Sequence, residues 1–394
     1  MKKNLFAAII IIFMYGNLLA QQVKLSDRKI VNIHSVTENT DRSIFIQLPK
    51  NYGQVKTQYP IIILFDAQDQ TLYDYTSSTI DRLMWTNDIP EAIFVGVLQK
   101  DRSKELSFEK NEESSFQFLN FVKNDLVNYL SKSYSLNGYC TLIGHSLGGQ
   151  FVTNAMLTYP EIFKSVISVS GALNYPESDK TFKRKVLTKE ESYIISNSDS
   201  VFEKQKYYFS TGDEGFQDSG FKLGALEADS LFRKYKPHSA NWHFDYLKGF
   251  NHMTTPLVSI PSGLIFIFHD WHFSDSLAMD VLVYQKTDPL VAMQKHQDNI
   301  LKAYQTNIAL PYNAYYQFEN YYFVKDELKK ASILANQIIA LYPNDDESYA
   351  LMADILEKEG DLKGAVKYLQ EAELKSASAK YKDRISQLNH KLNK

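Results

Sequence analysis

Residues 141–150 read Thr141-Leu142-Ile143-Gly144-His145-Ser146-Leu147-Gly148-Gly149-Gln150. An apolar run, Tyr139–Ile143, precedes the pentapeptide Gly144-His145-Ser146-Leu147-Gly148, and a helical pattern, Gln150–Leu157, follows it. A G-x-S-x-G sequence between a strand and a helix predicts a turn so sharp that its serine is held in a strained backbone conformation. The glycines two positions to either side of Ser146 leave space for that turn. The geometry lifts the serine hydroxyl above the end of a sheet and points the next amides at the same spot. A glycine-rich turn without chemistry can carry the same five letters, so the weight rests on the surrounding chain.

That chain alternates. Ile30–His34 and Ile44–Leu48 read as an antiparallel edge hairpin joined through Asn39-Thr40-Asp41. Pro60–Asp66 and Ala92–Leu98 are continuously apolar, as strands covered on both faces should be. Glu113–Ser131 is predicted to be a helix, with apolar residues at Phe116, Leu119, Val122, Leu126 and Leu130. Strands follow at Ser165–Val169, Tyr207–Thr211 and Trp242–Leu247, with a helix at Gly220–Tyr235. Thr255-Pro256 starts another helix, the threonine capping it and the proline in its first turn. Residues 174–202 read as polar and irregular, covering the serine side of the sheet. Alternating β and α of this kind implies a doubly wound, mostly parallel sheet.

Beyond about residue 280 the strands stop and the pattern is helical. Tyr315 and Tyr349 stand 34 residues apart, as do Ala331 and Ala365. The unit from Tyr349 through Gly360 and Ala365 to Ala372 is similar to a tetratricopeptide repeat; the preceding unit places Glu319 where a small residue is usual. The expected division is a leader over 1–20, an α/β domain over 21–278 and a small all-α repeat domain over 284–394.

Composition narrows the function classes. The 394 residues include 43 basic and 46 acidic side chains, a net charge of −3, with no basic stripe, which argues against nucleic acid as a partner. Lys2 and Lys3, the apolar run Leu5–Tyr15 and the small residue Ala20 read as a cleaved secretory signal, too short to be a stable membrane anchor. The expected location is therefore secreted or periplasmic. The lone cysteine, Cys140, falls in the strand before Ser146 and is expected to pack as a small hydrophobe.

A serine hydroxyl is a weak nucleophile at neutral pH and needs an imidazole to take its proton and a carboxylate to orient that imidazole. On a strand–elbow–helix scaffold the chain order is serine, acid, histidine. His252, in the loop after Trp242–Leu247, fits the last place. His34, His238 and His243 sit in or beside strands, and His269 and His272 at a helix end make only a weak metal pattern. His145 should point away from the Ser146 hydroxyl. The acid should follow Tyr207–Thr211: Glu214 is preferred, with Asp213 and Asp218 as alternatives. The oxyanion hole would use the amide of Leu147 and that of Gln68, in the loop after the first central strand.

Several segments together resemble the esterase family that includes enterochelin esterases, S-formylglutathione hydrolase and the mycobacterial antigen 85 acyltransferases. They are Leu48-Pro49-Lys50-Asn51-Tyr52, Tyr59-Pro60-Ile61 leading to Phe65-Asp66-Ala67-Gln68, Val95-Gly96-Val97 with Asp101-Arg102-Ser103-Lys104-Glu105, Gly144–Gly149, and Gly249 to His252. Two departures stand out: Asp66-Ala67 where aspartate-glycine is usual, and Ala172-Leu173-Asn174 where relatives often carry tryptophan. The resemblance covers roughly 29–275 and implies an α/β-hydrolase fold, an ester or thioester substrate, small-molecule or glycan, and no metal or organic cofactor. With export, a siderophore or acylated carbohydrate ester is the expected class. An acyltransferase on the same residues, or a non-catalytic scaffold whose repeat tail recruits a protein partner, are the competing readings.

Overall fold

The computed structural model describes residues 26–174, 183–197 and 202–394. The leader read over 1–20 and parts of the segment 174–202 lie outside these residues. Eight strands form one sheet in the order β1-β2-β4-β3-β5-β6-β7-β8. β1 (Arg28–Ser35) and β2 (Thr40–Gln47) make the predicted hairpin, and β2 runs antiparallel to β4 (Ile93–Val97). β3 (Tyr59–Leu64), β5 (Leu136–His145), β6 (Ser165–Val169), β7 (Lys206–Glu214) and β8 (Trp242–Asn251) are parallel to one another and to β4.

The central strands are apolar without alternation because both faces are covered. In the run from Ile61 to Phe65, Ile61, Ile63 and Phe65 join one core, while Ile62 and Leu64 join the other. The same division separates Leu142 from Ile143 and Tyr207 from Tyr208. The first core lies under α1 (Leu147–Thr158) and α2 (Gly215–Tyr235), which contribute Phe151 and Phe232. The opposite core is built with Ile80 from the helix Gln70–Trp85, and Ile260, Leu264 and Ile267 from α3 (Pro256–Phe268). Cys140 is buried in β5 as a small apolar residue.

Two elements differ from the sequence reading. The helix predicted over 113–131 contains a π segment at Phe121–Leu126, between α segments Glu112–Asn120 and Val127–Ser133. Part of the segment read as irregular is a helix, Lys185–Ser196, burying Val186, Leu187, Glu190 and Ile194 at helical spacing. Its run of lysine, threonine and glutamate masks a stripe of three apolar residues, Val186, Leu187 and Ile194.

The helical region from Asp275 to Leu392 is not a separate body. Ile300, Tyr304, Ile308 and Leu310 belong to the same core as Tyr139, Phe268 and Trp271 of the sheet domain. The Tyr304 hydroxyl donates to the Ile267 carbonyl and accepts from the Trp271 amide, both at 3.1 Å, and the Trp271 indole donates to the Ala309 carbonyl at 2.9 Å. Thr306 bonds the Asn137 carbonyl at 2.7 Å, at the start of β5. These contacts lie toward the end of the parallel strands opposite Ser146. No helix among the described residues is long and apolar enough to cross a membrane.

Candidate active site

β5 ends at His145 and α1 begins at Leu147, so Ser146 is the single residue between them. Its backbone has φ 62° and ψ −118°, a conformation that costs a non-glycine residue of order 1–3 kcal/mol. The surroundings enforce it. The Ser146 amide donates to Val169 at 2.9 Å, and its carbonyl accepts from Gln150 and Ala172 at 3.1 Å each. A Cβ on Gly144 would collide with the Gly148 carbonyl, and one on Gly149 would lie 2.7 Å from Gly171 Cα. The two glycines are required by close backbone approach.

His252 follows β8, as predicted. Its Nδ1 donates to Asp218 Oδ1 at 2.9 Å, which leaves Nε2 as the basic nitrogen of the ring. Asp218 has no solvent exposure, and its second oxygen finds no partner among the described residues. The favoured Glu214 is therefore corrected as the partner of this histidine. Glu214 ends β7 with an exposed side chain, and Asp213 instead accepts the Gly249 amide at 2.8 Å. The reason is local: Gly215, at φ 83°, breaks the strand and α2 starts there, five residues before the predicted helix. Asp218 thus lies in a first helical turn, where side chains lean back toward the helix N-terminus and over the strand ends. Gly212 makes the space, since a Cβ there would meet Asp218 Oδ2 at 2.5 Å.

Two residues read differently in the sequence complete this cluster. The His145 ring faces His252, centroids 4.4 Å apart, and its Nε2 bonds the His252 carbonyl at 2.8 Å. Thr255 does not cap α3; its hydroxyl donates to the same carbonyl at 3.0 Å and pairs with Ser170 at 2.9 Å. The His145–His252 and Thr255–Ser170 contacts leave no local signal in the sequence, because each joins segments more than 80 residues apart.

The proposed oxyanion loop is held from below. Asp66 has φ 63°, and Arg102 grips both its carboxylate oxygens at 2.8 and 2.9 Å while reaching the His145 carbonyl at 3.3 Å. The Gln68 side chain donates to Asp66 at 3.0 Å and accepts from the Gln99 amide at 3.0 Å. The Asp69 amide closes a turn on the Asp66 carbonyl at 3.0 Å, with the Gln68 amide inside it. Leu147 is the first residue of its helix, where an amide has no intrahelical acceptor.

Residues 35–218 match the model of the family described as "Putative esterase", a match over somewhat less than half of the chain. Two Bacillus subtilis proteins are similar over shorter stretches. One is the uncharacterised YjcH, 29% identical over 136 residues, covering 34% of this chain and 56% of YjcH. The other is the ferri-bacillibactin esterase BesA, 25% identical over 134 residues, covering 33% of this chain and 46% of BesA. The chain thus spans about half the length of the curated relatives it matches. Among solved structures, an IroE-like serine hydrolase from Shewanella oneidensis shares the fold with a TM-score of 0.64 at 16% identity, over 79% of this chain and 99% of that one. An uncharacterised Capnocytophaga ochracea protein does so with a TM-score of 0.60 at 18% identity, over 92% of this chain and all of its own. At that coverage the fold likeness extends into the helical region.

Proposed function

We propose that the protein is a serine carboxylic-ester hydrolase working through Ser146, His252 and Asp218. The observation that carries this reading is a buried aspartate–histidine pair on the sheet edge that also bears a strained, elbow-held serine. His252 Nε2 takes the Ser146 proton as the hydroxyl oxygen attacks the ester carbonyl. The oxygen that turns negative is received by the amides of Leu147 and Gln68. The carbon–oxygen bond to the alcohol then breaks, His252 returns its proton to the departing alkoxide, and water attacks the acyl-serine by the same route. Asp218 holds the imidazole in the tautomer that makes Nε2 basic and faces the positive charge that forms on the ring.

The substrate class follows from three supports. A relative is named for a siderophore ester, the leader reading points outside the cytoplasm, and Phe216 and Met253 stand 76% and 66% exposed in the segments carrying Asp218 and His252. These favour an extracytoplasmic ester with an apolar or aromatic part, from a siderophore or a decorated carbohydrate. The helical region, by its shared core, serves first to complete the fold.

Reaction with a fluorophosphonate probe and turnover of 4-nitrophenyl acetate, alongside Ser146→Ala and His252→Ala, test the reading. Wild-type protein should label and turn over, and each variant should lose on the order of 10⁴-fold or more in kcat. A wild type that does neither would remove the hydrolase assignment.

A further inference from the structure

In the reading above, Asp218 orients the ring of His252, but a ring is placed by its main chain as well. The His252 carbonyl receives two hydrogen bonds, from Nε2 of His145 at 2.8 Å and from the Thr255 hydroxyl at 3.0 Å. One of these donors belongs to the residue directly before the nucleophile. Base and nucleophile are therefore joined by one peptide link and one hydrogen bond, across 107 positions of sequence.

We propose that His145 is a positioning residue for catalysis: its Nε2–H fixes the main chain of His252, and its ring braces the imidazole that takes the serine proton. The inference rests on the hydrolase reading. A carbonyl oxygen only accepts, so the contact requires the proton on Nε2 and defines the tautomer. Burial, and then the neighbouring His252, press the His145 imidazole down to about 3, so it stays neutral while His252 cycles. A neutral His145 cannot repel the imidazolium that forms, and its ring packs against that imidazole with centroids 4.4 Å apart. The groups around it fit that state: Arg102 reaches the His145 carbonyl rather than its ring, and Asp69 is spent on capping the amides of Thr71 and Leu72.

The test separates the donor from the ring. His145→Phe keeps a planar ring and removes the N–H; His145→Gln places an N–H at nearly the reach of Nε2 without a ring. Measured with 4-nitrophenyl acetate, His145→Phe should lower kcat about 10- to 100-fold with KM within about twofold, the size expected when a reacting group loses its alignment. His145→Gln should recover to within about threefold of wild type. Thr255→Val, which removes the second donor to the same carbonyl, should lower kcat about 3- to 10-fold, again without a KM change. Wild-type kcat in His145→Phe overturns the proposal, as does His145→Gln being no faster than His145→Phe. Should His145→Phe not fold, wild-type kcat in Thr255→Val, or a His145→Gln protein that folds but has lost most of its kcat, overturns it. An inert wild type would sink the hydrolase reading and this one with it; an active wild type beside an unaffected His145→Phe would sink this one alone.

Discussion

At the scale of single residues the site is a set of side chains that share one task but reach it from distant parts of the chain. Asp218 is the clearest case. Replacing it with asparagine keeps the shape but removes the charge and the tautomer control, so kcat should fall about 10³- to 10⁴-fold. Glu214→Gln, four residues earlier and exposed, should change kcat by less than about twofold. Steady-state hydrolysis of 4-nitrophenyl acetate by the two variants decides between the carboxylates. The places of Ser146 and His252 in the fold were readable because each has a local signature: two glycines forced by backbone contact, and a loop after the last strand. The acid had none. Three carboxylates within six positions fit the rule, and only the point where β7 gives way to α2 selects among them. His145 was legible as the neighbour of Ser146, but its bond to His252, like that of Thr255 to Ser170, depends on the sheet bringing distant segments together.

At the scale of elements, hydrophobic pattern found the strands well. Both faces of this sheet are covered, so β3 and β4 read as continuous apolar runs. It did less well where polar residues are buried or charge surrounds a short stripe. Lys185–Ser196 and the π segment at Phe121–Leu126 are examples. The helix Tyr312–Val324 carries another exception, Glu319, 2% exposed at a position expected to hold a small side chain. Burial, with Asp354 adding repulsion, raises its carboxyl to about 7. In an unfolded chain the same group loses its proton near the ordinary glutamate value, about 4.5. Between those values the folded state holds the extra proton, so this group's contribution to stability falls as pH rises from about 4.5 to about 7 and then levels. Glu319→Gln should therefore raise the Tm more at pH 8 than at pH 5, as read by calorimetry at the two values. An equal gain at both would show that the carboxyl is solvated in the folded protein.

At the scale of the molecule, the notable arrangement is the division of labour between the two ends of the parallel strands. One end carries Ser146, Asp218 and His252; the helical region closes over the other through Tyr304, Ile308 and Leu310. A chain ending at residue 283 would leave Phe268, Trp271 and Tyr139 uncovered, an apolar patch of the kind that drives association. Such a truncation should be aggregated or lose its cooperative melting transition, as measured by size-exclusion chromatography and thermal unfolding. A monomeric, fully active truncation would show that the two parts are separable.

The shared core has a consequence for how the protein is made. Chains emerge from their N-terminus, and the sheet is complete in sequence by Asn251, while Tyr304 and its neighbours arrive later. At about 5–20 residues per second, the wall that they cover stays bare for several seconds of synthesis. A nascent chain that stalls in that interval displays its own incompleteness as a sticky face, the feature that chaperones and proteases bind. Quality control is in this way written into the order of the sequence, with the stabilising helices placed downstream of Ser146, Asp218 and His252.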